Sequence, residues 1–186
     1  MKKILFGLLI IMSLYSNAQE TEFALTADRG MTDFIVTNVQ DKTATEIYKK
    51  TMEWIGKSFK NPLQKMISNV ENESIVFQSY SETLFSDYFM GSKVYHPTKF
   101  QIEIVFKDGK YKFDIIGMQT LDGSDLKFFV TPMTKEELVK NYWVFKKDGT
   151  LTNTYKYANE VPLYFNNFNK ELYDNIISTT KKNDGW

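Results

Sequence analysis

The sequence predicts an α+β domain built in the order strand, helix, antiparallel strands, helix, and three stretches carry that prediction. Residues 43–60 open on a capping box and continue as one apolar stripe at helical spacing. Residues 100–115 alternate apolar and polar side chains through a central Asp108-Gly109 turn. Val161, Phe165, Phe168, Leu172 and Ile176 step along one face of a closing helix.

The chain opens with Met1-Lys2-Lys3, an apolar run over residues 4–12, and Ser16-Asn17-Ala18. A basic start, a short apolar core and small residues before a cleavage point after Ala18 predict a secretory signal peptide. The run is too short for a membrane-spanning helix of about 20 apolar residues, and no later stretch approaches that length, so the exported chain is expected not to span a membrane. We therefore expect a signal at 1–18, a polar lead-in at 19–31 with a turn at Asp28-Arg29-Gly30, and one domain over 32–186, exported to the periplasm or the cell exterior.

The 23 basic and 23 acidic residues balance, and loss of Lys2 and Lys3 with the signal tips the exported chain slightly acidic. That balance predicts no electrostatic footprint for nucleic acid or for an anionic membrane. The absence of cysteine excludes disulfides, a lipid-bearing cysteine and thiolate metal sites. An exported domain without disulfides relies on its core, and a composition 42% hydrophobic and 16% aromatic can supply one.

Residues 33–39, rich in β-branched side chains, predict the first strand. In Thr43-Ala44-Thr45-Glu46 the Thr43 and Glu46 side chains can each satisfy the other's free amide. Ala44, Ile47, Tyr48, Thr51, Ile55 and Phe59 form the helix stripe, Lys57 and Lys60 complement the dipole in the last turn, and Asn61-Pro62 stops it. Residues 73–80 predict a second strand. Residues 83–97 are less regular, with Leu84, Phe85, Tyr88, Phe89, Met90, Val94 and Tyr95 interrupted by Gly91-Ser92. Phe100, Ile102, Ile104 and Phe106 share one strand face. A two-residue turn at Asp108-Gly109 then pairs Phe106 with Tyr111, Ile104 with Phe113 and Ile102 with Ile115, placing all six on that face. Residues 126–130 predict a further strand. Thr134 to Glu137 repeat the capping-box pattern, and Leu138, Tyr142 and Phe145 favour a short helix over a hairpin about Lys147-Asp148-Gly149. Pro162 suits the first turn of the closing helix, and Lys181 and Lys182 its far end.

Three segments, 33–59, 102–115 and 164–176, carry a resemblance. They resemble a family of exported bacterial proteins described only as a domain of unknown function with a TBP-like (TATA-binding-protein-like) fold. The resemblance covers most of the exported chain, less clearly residues 134–160. It implies a curved antiparallel sheet with helices packed on one face, and it carries no catalytic, cofactor or ligand residues.

The residues argue against reading nucleic acid binding into that fold. The strand face opposite Phe100 carries Gln101, Glu103, Val105, Lys107, Lys110, Lys112, Asp114 and Ile116, of mixed charge and without an aromatic platform for bases. His96, the only histidine, lacks a nucleophile-elbow serine or a second metal-binding histidine and reads as an exposed loop residue. Asp122-Gly123-Ser124-Asp125 lacks the ligand spacing of a calcium loop and reads as a polar turn. No catalytic, cofactor or metal residue is therefore assigned. The stretch 85–95 is the candidate partner-binding lip, with Phe85, Tyr88, Phe89, Tyr95 and His96 as its residues; two core-facing strand segments joined by a turn is the plainer reading. The expected function is a non-catalytic module that binds a protein, peptide or envelope component. The alternative is an envelope hydrolase whose carboxylates converge only in the fold.

Overall fold

The computed structural model describes residues 20–59 and 65–178. The expected signal segment, Lys60, Asn61-Pro62, Lys181 and Lys182 lie outside the described residues. A five-stranded antiparallel sheet has the order β3-β7-β6-β5-β4, formed by β3 (Phe34–Asn38), β4 (Met66–Val70), β5 (Ser74–Phe89), β6 (Ser92–Lys107) and β7 (Lys110–Thr120). A two-stranded ribbon of β1 (Leu25–Thr26) and β2 (Gly30–Met31) precedes it. Three α-helices are described: α1 (Ala44–Ser58), α2 (Lys135–Lys140) and α3 (Glu160–Ile177). None is long and apolar enough to cross a membrane.

The central hairpin has the register its turn and pattern predict: Phe106 opposite Tyr111, Ile104 opposite Phe113, Ile102 opposite Ile115. All six side chains are buried. Beyond Ile115 a bulge inserts Ile116, so Gly117 pairs with Gln101 and the inward positions become Met118 and Thr120. On the opposite face Lys112 bridges Glu103 and Asp114 at 3.0 and 2.9 Å, and Gln101 donates to Gln78. Those bonds satisfy the polar side chains of a face that stays open to water.

Helix α1 begins where its capping box places it, with Thr43 accepting from the Glu46 amide and Glu46 accepting from the Thr43 amide. Its buried face consists of Ile47, Thr51, Trp54 and Ile55, and the Thr51 hydroxyl is satisfied by the Ile47 carbonyl at 2.9 Å. The hairpin turn reaches this helix end too: Asp108 Oδ1 accepts from the Ala44 amide at 2.8 Å, and the Gly109 amide donates to the Lys42 carbonyl. Asp108 thus serves the turn and the helix N-terminus together. Asp108→Ala is expected to cost about 0.5–2 kcal/mol, the usual loss for a helix-capping acceptor. Urea unfolding checks it, and an unchanged midpoint would show that water replaces the cap.

Helix α3 lies beside α1 on the same sheet face, with Trp54 and Phe168 at 4.9 Å between ring centres and Asn175 donating to the Lys50 carbonyl. Phe100, Phe113 and Phe165 complete an aromatic layer beneath it. The segment before the sheet is tied into this layer. Phe23 is buried against Phe113 and Phe165, and the Asn166 amide both accepts from the Phe23 N–H and donates to its carbonyl, as a neighbouring strand would.

Two expected elements differ. Residues 126–130 do not form a strand: Lys127–Phe129 is a 3-10 turn that buries Phe128 and Phe129 side by side. An alternating strand would send one of that adjacent pair into water. The helix after Thr134 has its capping box but ends at Lys140, and Phe145 instead bridges Leu151 across a turn containing Gly149 at φ +85°. A turn about Lys147-Asp148-Gly149 forms, but Tyr142–Phe145 is neither helix nor strand and the turn is closed by that one isolated bridge. Val144 and Phe145 are both buried while Trp143 points out.

Candidate functional site

Strands β5 and β6 run past the rest of the sheet as a two-stranded arm, from Phe85 opposite His96 to Phe89 opposite Ser92. At its root the register jumps from Ser81–Thr98 to Phe85–His96, so that residues 82–84 bulge opposite Pro97. Proline lacks the N–H a regular ladder would use, and a bulge is where a strand tolerates it. The bulge also resets the pleat, leaving Leu84, Phe85 and Ser86 buried in succession. Met90 and Gly91 turn the arm with φ +46° and +90°.

The loop 152–160 clamps the arm. The Tyr88 amide donates to the Thr154 carbonyl at 2.8 Å, on the strand edge that β4 leaves free. Lys156 lies over the Tyr88 ring, 3.3 Å from its centre. Lys93 sits between Tyr95 and Tyr157, 4.9 and 4.5 Å from their centres, and donates to both oxygens of Glu160. That carboxylate bond raises the Lys93 pKa, so the ammonium stays charged between the rings.

The five predicted residues divide accordingly. Phe85 belongs to the interior, packed on Phe129, Tyr155 and the His96 ring. Tyr88 is half-buried beneath Lys156. Phe89 and Tyr95 are 63% and 48% exposed, beside Met90 at 87%. His96 lies within β6 rather than in a loop, half-buried, with Nε2 3.1 Å from Asp87 Oδ2. That is an ion-pair distance without hydrogen-bond alignment, and the buried Nε2 has no hydrogen-bond partner among the described residues. The clamp residues Tyr155, Lys156, Tyr157 and Glu160 lie about seventy positions downstream. Their only local signal is the Tyr-Lys-Tyr alternation.

Four clefts on the described surface bear on whether acids converge. One lies between β3 and α3 and is lined by Asn38, Asn166, Asn169 and Glu22; another, beside Tyr80 and Phe168, has Glu171. The third is flanked by Lys107, Lys110 and Lys112, and the fourth contains Asp125. Each therefore has at most one carboxylate. Among the described residues no three histidine, aspartate or glutamate side chains gather as metal ligands.

Residues 35–119 match the family described as a domain of unknown function (DUF4468) with TBP-like fold. This segment is a DUF4468 domain. It runs from β3 through β7, so it contains the whole five-stranded sheet, α1 and the arm, while the clamp loop and α3 lie beyond it. The crystal structure of a DUF4468 family protein from Bacteroides ovatus is similar at 11% identity and a TM-score of 0.54, over 82% of this chain and 90% of that one. A TBP-like protein from Parabacteroides distasonis aligns at 14% identity and a TM-score of 0.49, over 77% of this chain and 90% of that one. No curated protein matches the chain. The likeness to the Bacteroides structure is one of fold: TBP-like α+β, an antiparallel sheet with helices.

Proposed function

We propose that this DUF4468 protein is a non-catalytic binding module of the bacterial envelope, engaging a protein, peptide or envelope component through the end of the β5–β6 arm. One observation carries the reading: the arm is fastened on its flank by Lys93, Lys156 and Glu160, yet Phe89 and Met90 at its end are 63% and 87% exposed. A rigid support under exposed apolar side chains lowers the ordering cost of binding. The export signal in residues 1–18 supplies the compartment in this reading. A hydrolase would require two carboxylates facing one cleft, roughly 5–9 Å apart, and no observation favours that arrangement.

The test is recovery of envelope components by the immobilised protein and by a Phe89→Asp/Tyr95→Asp variant. Both positions are exposed and Tyr95 gives up only its contact with Lys93, so the variant is expected to stay folded, within about 1 kcal/mol of the parent, while losing most of the bound material. Equal recovery by a folded variant would remove the arm from consideration.

A further inference from the structure

Two residues are apolar where the backbone disfavours it. The non-glycine residues with positive φ among those described are Asp41, Asn72, Met90 and Trp143. Aspartate and asparagine tolerate the left-handed region because their short polar side chains bond locally; methionine gains no such compensation, and Trp143 gains one bond, from its indole N–H to the Lys140 carbonyl at 2.6 Å, which leaves the ring exposed. Glycine or asparagine would be the cheaper choice at both turns. Burial does not explain the two side chains either, since Met90 is 87% and Trp143 70% exposed, the largest exposures among the bulky apolar residues, with Phe89 next at 63%. Among the described residues, the two most exposed bulky apolar side chains stand on strained backbone.

The fold links the two turns. The Tyr88 amide next to the arm's end bonds the Thr154 carbonyl, while the Thr152 hydroxyl and amide bond the carbonyls of Trp143 and Val144. A single hydrogen-bonded strip, residues 152–154, therefore runs between the arm and the Trp143 loop. Lysines accompany both. Lys146 and Lys147 follow Trp143 in its loop, Lys156 covers Tyr88, and none of the three makes an ion pair among the described residues.

We propose that Phe89, Met90 and Trp143, with Lys146, Lys147 and Lys156, form a docking surface for an anionic lipid bilayer. This rests on the binding-module reading and narrows its envelope component to the membrane surface itself. Three side chains at two turns are too few to cover the roughly 800 Å² per partner that a stable protein complex buries. Inserting them singly among headgroups needs no matching partner surface, and aromatic residues flanked by lysine suit that boundary. The even charge of the whole chain predicts no such surface. Net charge averages over all faces, whereas attraction to a bilayer acts within about one Debye length of it, roughly 8–10 Å in physiological salt.

The test is flotation of the exported chain, residues 19–186, with vesicles of phosphatidylglycerol and phosphatidylcholine, and with phosphatidylcholine alone. Binding is expected to the anionic vesicles and to weaken as salt rises. Lys146→Gln/Lys147→Gln/Lys156→Gln is expected to lower the partition coefficient about a hundredfold, some fivefold per lysine. Met90→Asn and Trp143→Asn, which suit the left-handed backbone, are each expected to lower it about tenfold or more without lowering the unfolding midpoint. No binding to anionic vesicles, or equal binding by the folded asparagine variants, would overturn the lipid surface. If vesicles fail while Phe89→Asp/Tyr95→Asp still abolishes recovery of an envelope protein, the lipid proposal falls and the binding module stands. If both fail, the arm is not the binding site.

Discussion

Phe165→Ala is expected to destabilise the protein by about 3–5 kcal/mol, the usual cost of a fully buried phenylalanine truncated to alanine. Phe165 has no exposed surface and joins three parts of the chain: α3 itself, Phe100 of the sheet at 5.3 Å between ring centres, and Phe23 of the leading segment at 6.2 Å. Its removal leaves a cavity between a helix and a sheet already fixed by their other rings, so the site collapses only partly and the loss sits near the top of that range. For a domain of this size the melting temperature should fall by roughly 6–20 °C. Leu163→Ala, two positions away on the same helix and 60% exposed, is the control, expected to change stability by less than about 0.5 kcal/mol. A Phe165→Ala protein within about 1 kcal/mol of the parent would mean that α3 does not seal the core through this ring.

Parts of this architecture follow from local chemistry, and those parts were legible in the sequence. The Asp108-Gly109 turn sets the register and the alternation sets the face, and both point to the same six residues. The Thr43 and Thr134 capping boxes mark helix starts because their bonds lie within four residues. What escaped depends on distant neighbours. The adjacent pair Phe128-Phe129 resembles a strand until both rings are buried together, which only a tight turn achieves. The helix stripe predicted from Leu138 to Phe145 fails because Phe145 finds Leu151 and the backbone turns sharply at Trp143. At the arm, the aromatic content of residues 85–95 was visible, but which side faces water was not. Phe85 keeps the parity of the inward Phe77 and Ser79, but the bulge opposite Pro97 buries Leu84 and Ser86 beside it, so alternation no longer tells the faces apart, and the lysines that clamp Tyr88 and Tyr95 include one from a loop about seventy residues on. The strained conformations of Met90 and Trp143 have no sequence signature at all, since the residue types argue against them.

Inside the core, α3 carries one polar side chain, Asn169, only 8% exposed. Its Oδ1 accepts from the Tyr111 hydroxyl at 2.8 Å and its Nδ2 donates to the Thr37 hydroxyl at 3.1 Å, tying the helix to β7 and to the edge strand β3. Burial pushes the Tyr111 phenol well above the ordinary tyrosine range, so the ring remains a donor throughout the neutral and moderately alkaline range. Deleting one partner strands the other, and a stranded buried polar group costs about 1–3 kcal/mol. Tyr111→Phe is expected to lie near the lower end, because Asn169 lines a cleft from which water can reach it. Asn169→Leu is expected to cost more, about 2–3 kcal/mol, since it removes the side-chain amide that both Tyr111 and Thr37 bond and leaves Tyr111 only the Thr37 hydroxyl and the main chain. The double variant Tyr111→Phe/Asn169→Leu removes the Tyr111–Asn169 pair together and should be more stable than the sum of the single losses by about 1–2 kcal/mol. Urea unfolding of the four proteins measures that coupling directly. Simple additivity would show that Asn169 and Tyr111 contribute to the core only by their shapes, and that the hydrogen bond between helix and sheet adds nothing to the fold that carries the arm.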